Sequence, residues 1–488
     1  MSNAESQAES QVSTQDNVLS LDSHQDLSAL LQRQRTAYQA APYPTLDQRI
    51  NHLDRLHQGL VKHQQALLDA LSEDFGHRSG FDSQISDLLP CLNQIHYHKK
   101  HLKRWMKPVR RSPGLLLSPA KVTVHYQPLG VVGIVVPWNF PVFLAIGPLI
   151  TALAAGNRAM IKLSEFTPNT NRVLTQLLSE QFESDQVVTI EGEADRAAAF
   201  SALPFDHLFF TGSTAVGRHV MRAAADNLTP VTLELGGKSP TFIGPDIDIK
   251  DAVQRLIWGK CLNAGQICVA PDYVLVPKEK IDEFAQAYQA AFNKLYPKGL
   301  ASDDYSSVVN PAQYQRLQRV LQDAEEKGAR TVPVAEPACD DEQHRMVSHL
   351  LLDVDDSMTV MQEEIFGPLL PLVPYNSVDE AIQYIQDRPR PLALYLMSHD
   401  SELQQRVIAE THAGGVALNE TVMQVAADDA PFGGIGPSGM GHYHGHEGFL
   451  TLSKAKTVLQ RGKFYPSAFI QPPYGGWIHR LLTKLFLR

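Results

Sequence analysis

The chain has 488 residues, 43% of them hydrophobic, and a formal net charge of −10; it is long enough for two or more self-sufficient cores and too acidic for a general nucleic-acid binder. Its four cysteines, Cys91, Cys261, Cys268 and Cys339, lack the short paired spacings of a zinc ribbon or a disulfide framework, which points to a reducing, cytoplasmic setting. There is no run of about 18 apolar residues, and Met1 to Gln15 is polar without a basic-then-apolar leader, so neither a membrane span nor a signal peptide is expected.

From Asp26 to about Leu71 apolar residues recur at helical spacing (Ile50, Leu53, Leu56, Leu60), and a second helical stretch is predicted from about Ser83 to Met106. The basic residues from Lys99 to Arg111 read as a solvated helix face with its C-terminal charge bias. Lys121 to Gln127 alternates Val122, Val124 and Tyr126 with Thr123 and His125. That pattern predicts a strand with one wet face, on an arm bounded by Pro119 and Pro128 and suited to pairing with another subunit. Gly130 to Val136 then reads as a continuous apolar strand, followed by a helix over Phe143 to Ala155 and strands at Ala159 to Leu163, Val187 to Ile190, His207 to Phe210 and Val231 to Leu235. Strands buried on both faces with helices between them imply an α/β protein with a parallel, doubly wound sheet. A second α/β region is expected from about Ser239 to Thr411, with helices at Ile249 to Lys260, Lys278 to Lys294 and Pro311 to Lys327. After Gly414 the chain is Gly-rich, and Trp477 to Arg488 places Ile478, Leu481, Leu482 and Leu485 on one helical stripe. That stripe suits either docking on the protein's own dimer or a membrane surface.

In a doubly wound sheet ligands bind beyond the carboxyl ends of the strands, and the loops there carry the informative residues. Pro137, Trp138, Asn139, Phe140 and Pro141 follow the first strand, and two prolines hold an amide that can donate to a developing oxyanion. Lys162 and Glu165, at the next strand end, suit an adenosine ribose. Gly212, Ser213 and Gly217 form a GSxxxG turn into a helix whose N-terminus suits a pyrophosphate. Glu234, followed by Leu235, Gly236, Gly237 and Lys238, is a candidate general base whose pKa partial burial would raise; a salt bridge to Lys238 is the plain alternative. Cys268 follows Asn263, Ala264, Gly265, Gln266 and Ile267 on a Gly-containing loop and is the candidate nucleophile. His442, His444 and His446 alternate, but the Gly-rich context argues for structural roles, and no metal is expected.

Taken in order, the Asn139 loop, Lys162-x-x-Glu165, GSxxxG, Glu234-Leu-Gly-Gly and Gly265-Gln-x-Cys268 resemble the NAD(P)-dependent aldehyde dehydrogenase superfamily, as does Glu363-Glu364-Ile365-Phe366-Gly367-Pro368. The resemblance runs from about residue 25 onward. Phe75 to Ser79 (FGHRS), Pro391 to Ser398 (PLALYLMS), Pro431 to Gly441 and Tyr443-His444-Gly445 place it in the class 3 branch, near coniferyl aldehyde dehydrogenase-like proteins. Gln424 departs from that pattern, standing where the resemblance would place histidine, on a loop it assigns to the substrate funnel.

The resemblance implies the aldehyde dehydrogenase fold: a Rossmann-like cofactor domain (25–112 and 129–235), a catalytic domain (236–411), and an oligomerisation arm with closing segment (113–128 and 412–470, of which 412–440 could return to the cofactor domain). A disordered tail (1–24) and an amphipathic tail (471–488) flank them. It implies a homodimer that oxidises an aromatic or a medium- to long-chain aldehyde with NAD, or NADP, through a cysteine thiohemiacetal and thioester. Cys268, Glu234 and Asn139 would be catalytic, with the thiol pKa lowered or the thiol deprotonated by a base, and a neighbouring nicotinamide cation could assist. Trp138, Lys162, Glu165, Gly212, Ser213, Gly217, Leu235, Gly236, Glu364 and Phe366 would bind the cofactor. A fatty aldehyde dehydrogenase lying on a membrane, a cysteine esterase and a non-catalytic binding protein are the other readings.

Overall fold

A computed structural model describes residues 26–487; the tail expected over 1–24 lies outside the described residues. The first predicted helical run is two helices, Leu27–Ala40 and Leu46–Asp74. The break has a local cause: Pro42 and Pro44 interrupt the helical pattern, and Thr45 and Gln48 close a reciprocal capping box. The second run opens with a short turn, Gly80–Ser83, and a wider-than-α segment, Gln84–Leu88, before the regular helix Leu89–Trp105. The helix expected from Lys278 begins at Ile281, after a separate tight turn.

Three of the four sheets among the described residues organise the rest, the fourth being the two-stranded ribbon of Cys339–Asp340 and Arg345–Met346. Strands Val131–Val135, Arg158–Lys162, Val187–Ile190, His207–Gly212 and Val231–Leu235 pair in parallel, with Val131–Val135 between Arg158–Lys162 and His207–Gly212. The chain enters this sheet in the middle and builds outward in both directions, so a crevice opens where the order reverses, beside Val131–Val135 and His207–Gly212. The helix Pro141–Ala155, apolar but for Thr151, is buried along its whole length under Leu46–Asp74 and Leu89–Trp105.

The second sheet has seven strands, ordered Arg330–Pro333, His349–Leu352, Leu369–Tyr375, Tyr273–Pro277, Pro240–Ile243, Ala393–Met397 and Gly415–Leu418. Its last strand corrects the expected boundary at 411: Val416 and Leu418 pair in parallel with Leu394 and Leu396, and the sheet runs past the boundary. Gly439–Met440 then returns to the first sheet, antiparallel to Leu233 and Glu234.

The third sheet joins Val109–Arg111, Lys121–Pro128 and Ser453–Gln460. The strand predicted over Lys121 to Gln127 runs one residue further and ends at Pro128, the expected far bound of the arm. Ser453–Gln460 is an edge strand, exposed along almost all of its length. Beyond it the helix Trp477–Phe486 buries no residue, with Trp477 70% exposed. No described helix is long and apolar enough to cross a membrane.

Candidate active site

A cleft of about 560 Å³ opens at the crevice of the parallel sheet. Pro137, Trp138 and Asn139 line it from one strand end, Thr211 to Ala215 from the neighbouring one, and Glu234 and Gly236 from the next. Cys268, Gln313, Arg316, Glu363, Glu364 and Phe366 close it from the second sheet's side. Residues 130 positions apart therefore meet because two sheets present their strand ends to one space.

The loop that carries Cys268 is wound tightly. Asn263 and Ala264 adopt left-handed backbone angles (φ 49° and 51°), and Gly265 follows at φ 75°. A side chain at Gly265 would lie 2.5 Å from the Gly367 carbonyl oxygen, so glycine is required there on two counts. Gln266 locks the turn: its buried amide donates to the carbonyls of Asn263 (2.9 Å) and Ser307 (3.0 Å) and accepts from Val309 N–H (3.0 Å).

Of the two expected routes to the thiolate, a lowered pKa is not supplied by the protein groups. Burial, then the Glu364 carboxylate, then that of Glu234 push it up to about 12, against N–H groups of Cys268 and Val269 that pull it down. Protein groups alone hold Cys268 as the neutral thiol.

Glu234 is 4% exposed and neither carboxylate oxygen has a protein hydrogen-bond partner. Burial raises its pKa well above the usual carboxylate range, and it is more deeply buried than the sequence reading supposed. The alternative of a Glu234–Lys238 salt bridge does not form: Lys238 pairs with Asp272 and donates to the carbonyls of Val360 (2.7 Å) and Glu363 (3.0 Å). Asn139 is buried, and its Nδ2 donates to the Gln266 carbonyl at 3.2 Å, which sets the amide beside the cysteine loop.

Of the other candidates, Trp138, Gly212, Ser213, Gly236, Glu364 and Phe366 line the cleft. Ser213 caps the helix Thr214–Ala225, accepting from Val216 N–H at 3.4 Å. Burial, with Asp272 adding to it, raises Glu364 to about 8, and its Oε1 has no protein partner. Gly217 and Leu235 do not line the cleft; a methyl on Gly217 would lie 2.6 Å from Leu235 Cδ2, so the pair instead sets how closely the helix approaches its strand. Lys162 and Glu165 also lie outside this lining: Lys162 is buried with Nζ donating to the Leu163 carbonyl (2.7 Å), and Glu165 is exposed. Arg316 and Gln313, bonded to each other at 2.9 Å, were not expected; they sit in an ordinary amphipathic helix, and no local motif marks them. The geometry suits a dinucleotide: a helix N-terminus, glycine backbone at Gly212 and Gly236, and an unpartnered buried acceptor on Glu364 share one cleft.

Cys268 also borders a second cavity of about 140 Å³, walled by Phe140, Phe143, Leu144, Trp258, Val422 and Phe432 among others. The thiol thus stands between a polar cleft and an apolar funnel. Val422, Met423, Val425 and Ala426 line the funnel while Gln424 turns away, its Nε2 donating to the Tyr395 hydroxyl at 3.0 Å. The histidines do not share a face: His442 is exposed, His444 is buried and stacked on Phe432 (5.5 Å between centroids), and His446 lies near Trp105 (5.8 Å).

A sequence profile of the aldehyde dehydrogenase family matches residues 11–458. The chain belongs to this family. As an aldehyde dehydrogenase it is an oxidoreductase acting on aldehydes. It is 54% identical over 462 residues to a probable coniferyl aldehyde dehydrogenase of Pseudomonas aeruginosa, covering 95% of this chain and 96% of that one. Its fold is similar to a substrate-bound state of Staphylococcus aureus AldH (TM-score 0.90, 37% identity, 95% of this chain and 100% of that chain). It is also similar to a Mycobacterium tuberculosis aldehyde dehydrogenase complexed with NAD+ (TM-score 0.82, 28% identity, 90% and 91%).

Proposed function

We propose that this aldehyde dehydrogenase oxidises aromatic, cinnamyl-type aldehydes such as coniferyl aldehyde to the acids with NAD(P)+, with Cys268 as nucleophile. The observation that carries the reading is the position of Cys268, bordering both the polar cleft and the apolar funnel. The Cys268 thiol loses its proton to solvent as its sulfur bonds to the aldehyde carbon and the carbonyl π bond breaks, and the resulting oxyanion takes hydrogen bonds from the Asn139 amide and the Cys268 backbone N–H, each donor worth on the order of 3 kcal/mol. The hydride acceptor needed to turn the thiohemiacetal into a thioester would be supplied by NAD(P)+, held in the cleft lined by Trp138, Gly212, Ser213, Glu364 and Phe366. Glu234 then takes a proton from the water that attacks the thioester carbon; the C–S bond breaks, the acid leaves and the thiol is restored.

Ser213, Gly212 and Trp138 would hold the dinucleotide from the sheet side and Glu364 and Phe366 from the other. Lys162 and Glu165 would meet its adenosine ribose beyond the cleft, where the Glu165 charge favours NAD over a 2′-phosphate. A cysteine esterase is disfavoured because the cavity residues around Cys268 supply Glu234 and no histidine partner.

The same reading includes a homodimer formed at the exposed edge strand Ser453–Gln460, with the C-terminal helix docked on the partner, and a cytoplasmic setting, for which the four free thiols speak. The test is NADH formation over a panel of aldehydes. Cinnamyl-type aldehydes should exceed acetaldehyde in kcat/KM by tenfold or more on the order of what a filled apolar pocket supplies; equal values would sink the substrate assignment.

A further inference from the structure

The FGHRS stretch near the N-terminus takes no part in the reaction as described, yet it sends a fully buried charge to the catalytic loops. Arg78 and Asp87 are both buried and pair at 2.8 Å (Nη2 to Oδ2). Arg78 Nη1 donates to the backbone carbonyl of Asn139 at 2.9 Å, and Asn263 Nδ2 donates to the same oxygen at 3.2 Å. The guanidinium lies 4.9 Å from the ring centroids of both Phe75 and Phe140. The other Asp87 oxygen accepts from the N–H groups of Val142 (3.1 Å) and Phe143 (3.0 Å), the first turn of the helix that starts two residues after Asn139. That helix has no capping side chain of its own, so a carboxylate from another element supplies its cap.

A buried ion pair is weak evidence for stability, because apolar residues of the same volume often serve as well or better. What an apolar pair could not do is grip both sides of residue 139. One member holds the Asn139 carbonyl and the other holds the helix that follows, while Asn263 ties the same carbonyl to the cysteine loop. The Asn139 peptide is thereby fixed in register with Cys268.

We propose that Arg78 and Asp87 are positioning residues for the oxyanion, acting through Asn139. The proposal rests on the reading of Asn139 as an oxyanion donor. A displacement of about 1 Å at such a donor costs on the order of 10²-fold in rate.

The experiment is a double-mutant cycle of Arg78→Met with Asn139→Ala, using NADH formation with cinnamaldehyde and checking fold by NAD+ affinity and thermal melting. Arg78→Met should lower kcat about 10²-fold, leave the aldehyde KM and the NAD+ affinity within about threefold, and cost less than about threefold once Asn139 is already alanine. Equal losses in both backgrounds would show a role independent of Asn139 and overturn the proposal, as would wild-type kcat in folded Arg78→Met. If Asn139→Ala alone keeps full kcat, the oxyanion reading itself fails, and the proposal with it. Should Arg78→Met not fold, Arg78→Lys enters the same cycle; its shorter reach keeps the charge but cannot span Asp87 and the Asn139 carbonyl together, so it too must lose kcat only where Asn139 is present.

Discussion

Gly236 lies directly against Glu364: a methyl group on Gly236 would sit 2.0 Å from Glu364 Oε2. Both residues line the polar cleft, and the glycine's missing side chain is the space the carboxylate occupies. Gly236→Ala should therefore push the Glu364 carboxylate out of place, raising the KM for NAD+ about tenfold, equivalent to roughly 1.4 kcal/mol. The thermal midpoint should hardly move, since a flexible side chain can yield. Steady-state kinetics with a melting curve tests this; an unchanged KM in the variant would show that the contact has no bearing on the cofactor.

Cys268→Ala should abolish aldehyde-dependent NADH formation, by more than about 10³-fold, while NAD+ binding persists. Glu234→Gln, by contrast, should release a burst of about one NADH per active site and then stall, because acyl transfer to sulfur precedes water activation. Stopped-flow absorbance separates the two, and a folded, cofactor-binding Glu234→Gln with no burst would move the carboxylate's role ahead of the thioester.

The elevated thiol pKa makes a signed prediction. Burial contributes most, Glu364 next, and with protein groups alone the thiol sits at about 12. Iodoacetamide labelling of Cys268 should therefore rise steadily with pH from 6 to 10 without reaching a plateau, since the thiolate is the reactive form. Glu364→Gln removes a raising charge that is present only above the carboxyl's own pKa of about 8, so labelling between pH 8 and 10 should be faster than in the parent. A plateau near pH 7 in the cofactor-free protein would contradict the environment described here.

Histidines whose pKa burial lowers contribute to the acid limit of stability, His52 and His349 among them. Burial lowers His98 to about 4, His207 to about 4 and His444 to about 3. Below an unfolded-state pKa of about 6.5 the unfolded chain takes up protons that the folded chain refuses, so stability is complete above that pH and is lost as pH falls toward 4. Each of these last three can remove on the order of 3 kcal/mol by pH 4. The melting temperature should start to drop below about pH 6.5, and a flat profile from pH 7 to 5 would show these rings ionising freely in the fold.

The C-terminal segment offers a test of what covers it. From Gly448 to the end the sequence contains no acidic residue, while Lys454, Lys456, Arg461, Lys463, Arg480, Lys484 and Arg488 supply positive charge to a chain of net −10. If the helix Trp477–Phe486 docks on a second copy, truncation before Gly475 should shift sedimentation toward monomer and leave liposome flotation at background for both forms. Flotation of the intact chain alone with anionic vesicles would instead assign the helix to a lipid surface.

Much of the site could be read from the order of residues because most of its motifs sit where a strand ends, and strand ends announce themselves by an apolar run followed by Gly, Pro or a small polar residue. Pro137 to Asn139, Gly212 with Ser213, and Glu234 with Gly236 follow that rule, whereas Cys268 stands on the Gly-containing loop between the helix Ile249–Cys261 and the strand Tyr273–Pro277; all of them line the cleft. The parallel sheet was legible for the same reason, its strands being apolar on both faces.

Only the tertiary structure could decide the rest, since it depends on what comes near from far along the chain. Arg316 reaches the cleft from a helix whose pattern shows nothing but amphipathicity. Gly217, read as a ligand contact together with Leu235, is where the Leu235 side chain packs against the helix. The Cys268 thiol is raised rather than lowered because desolvation and two carboxylates outweigh the backbone dipoles, a balance set by packing. The sequence by itself determined which loops carry the chemistry, since local patterns place them at strand ends. Which side chains meet there, and with what charge, followed from two sheets converging on one space.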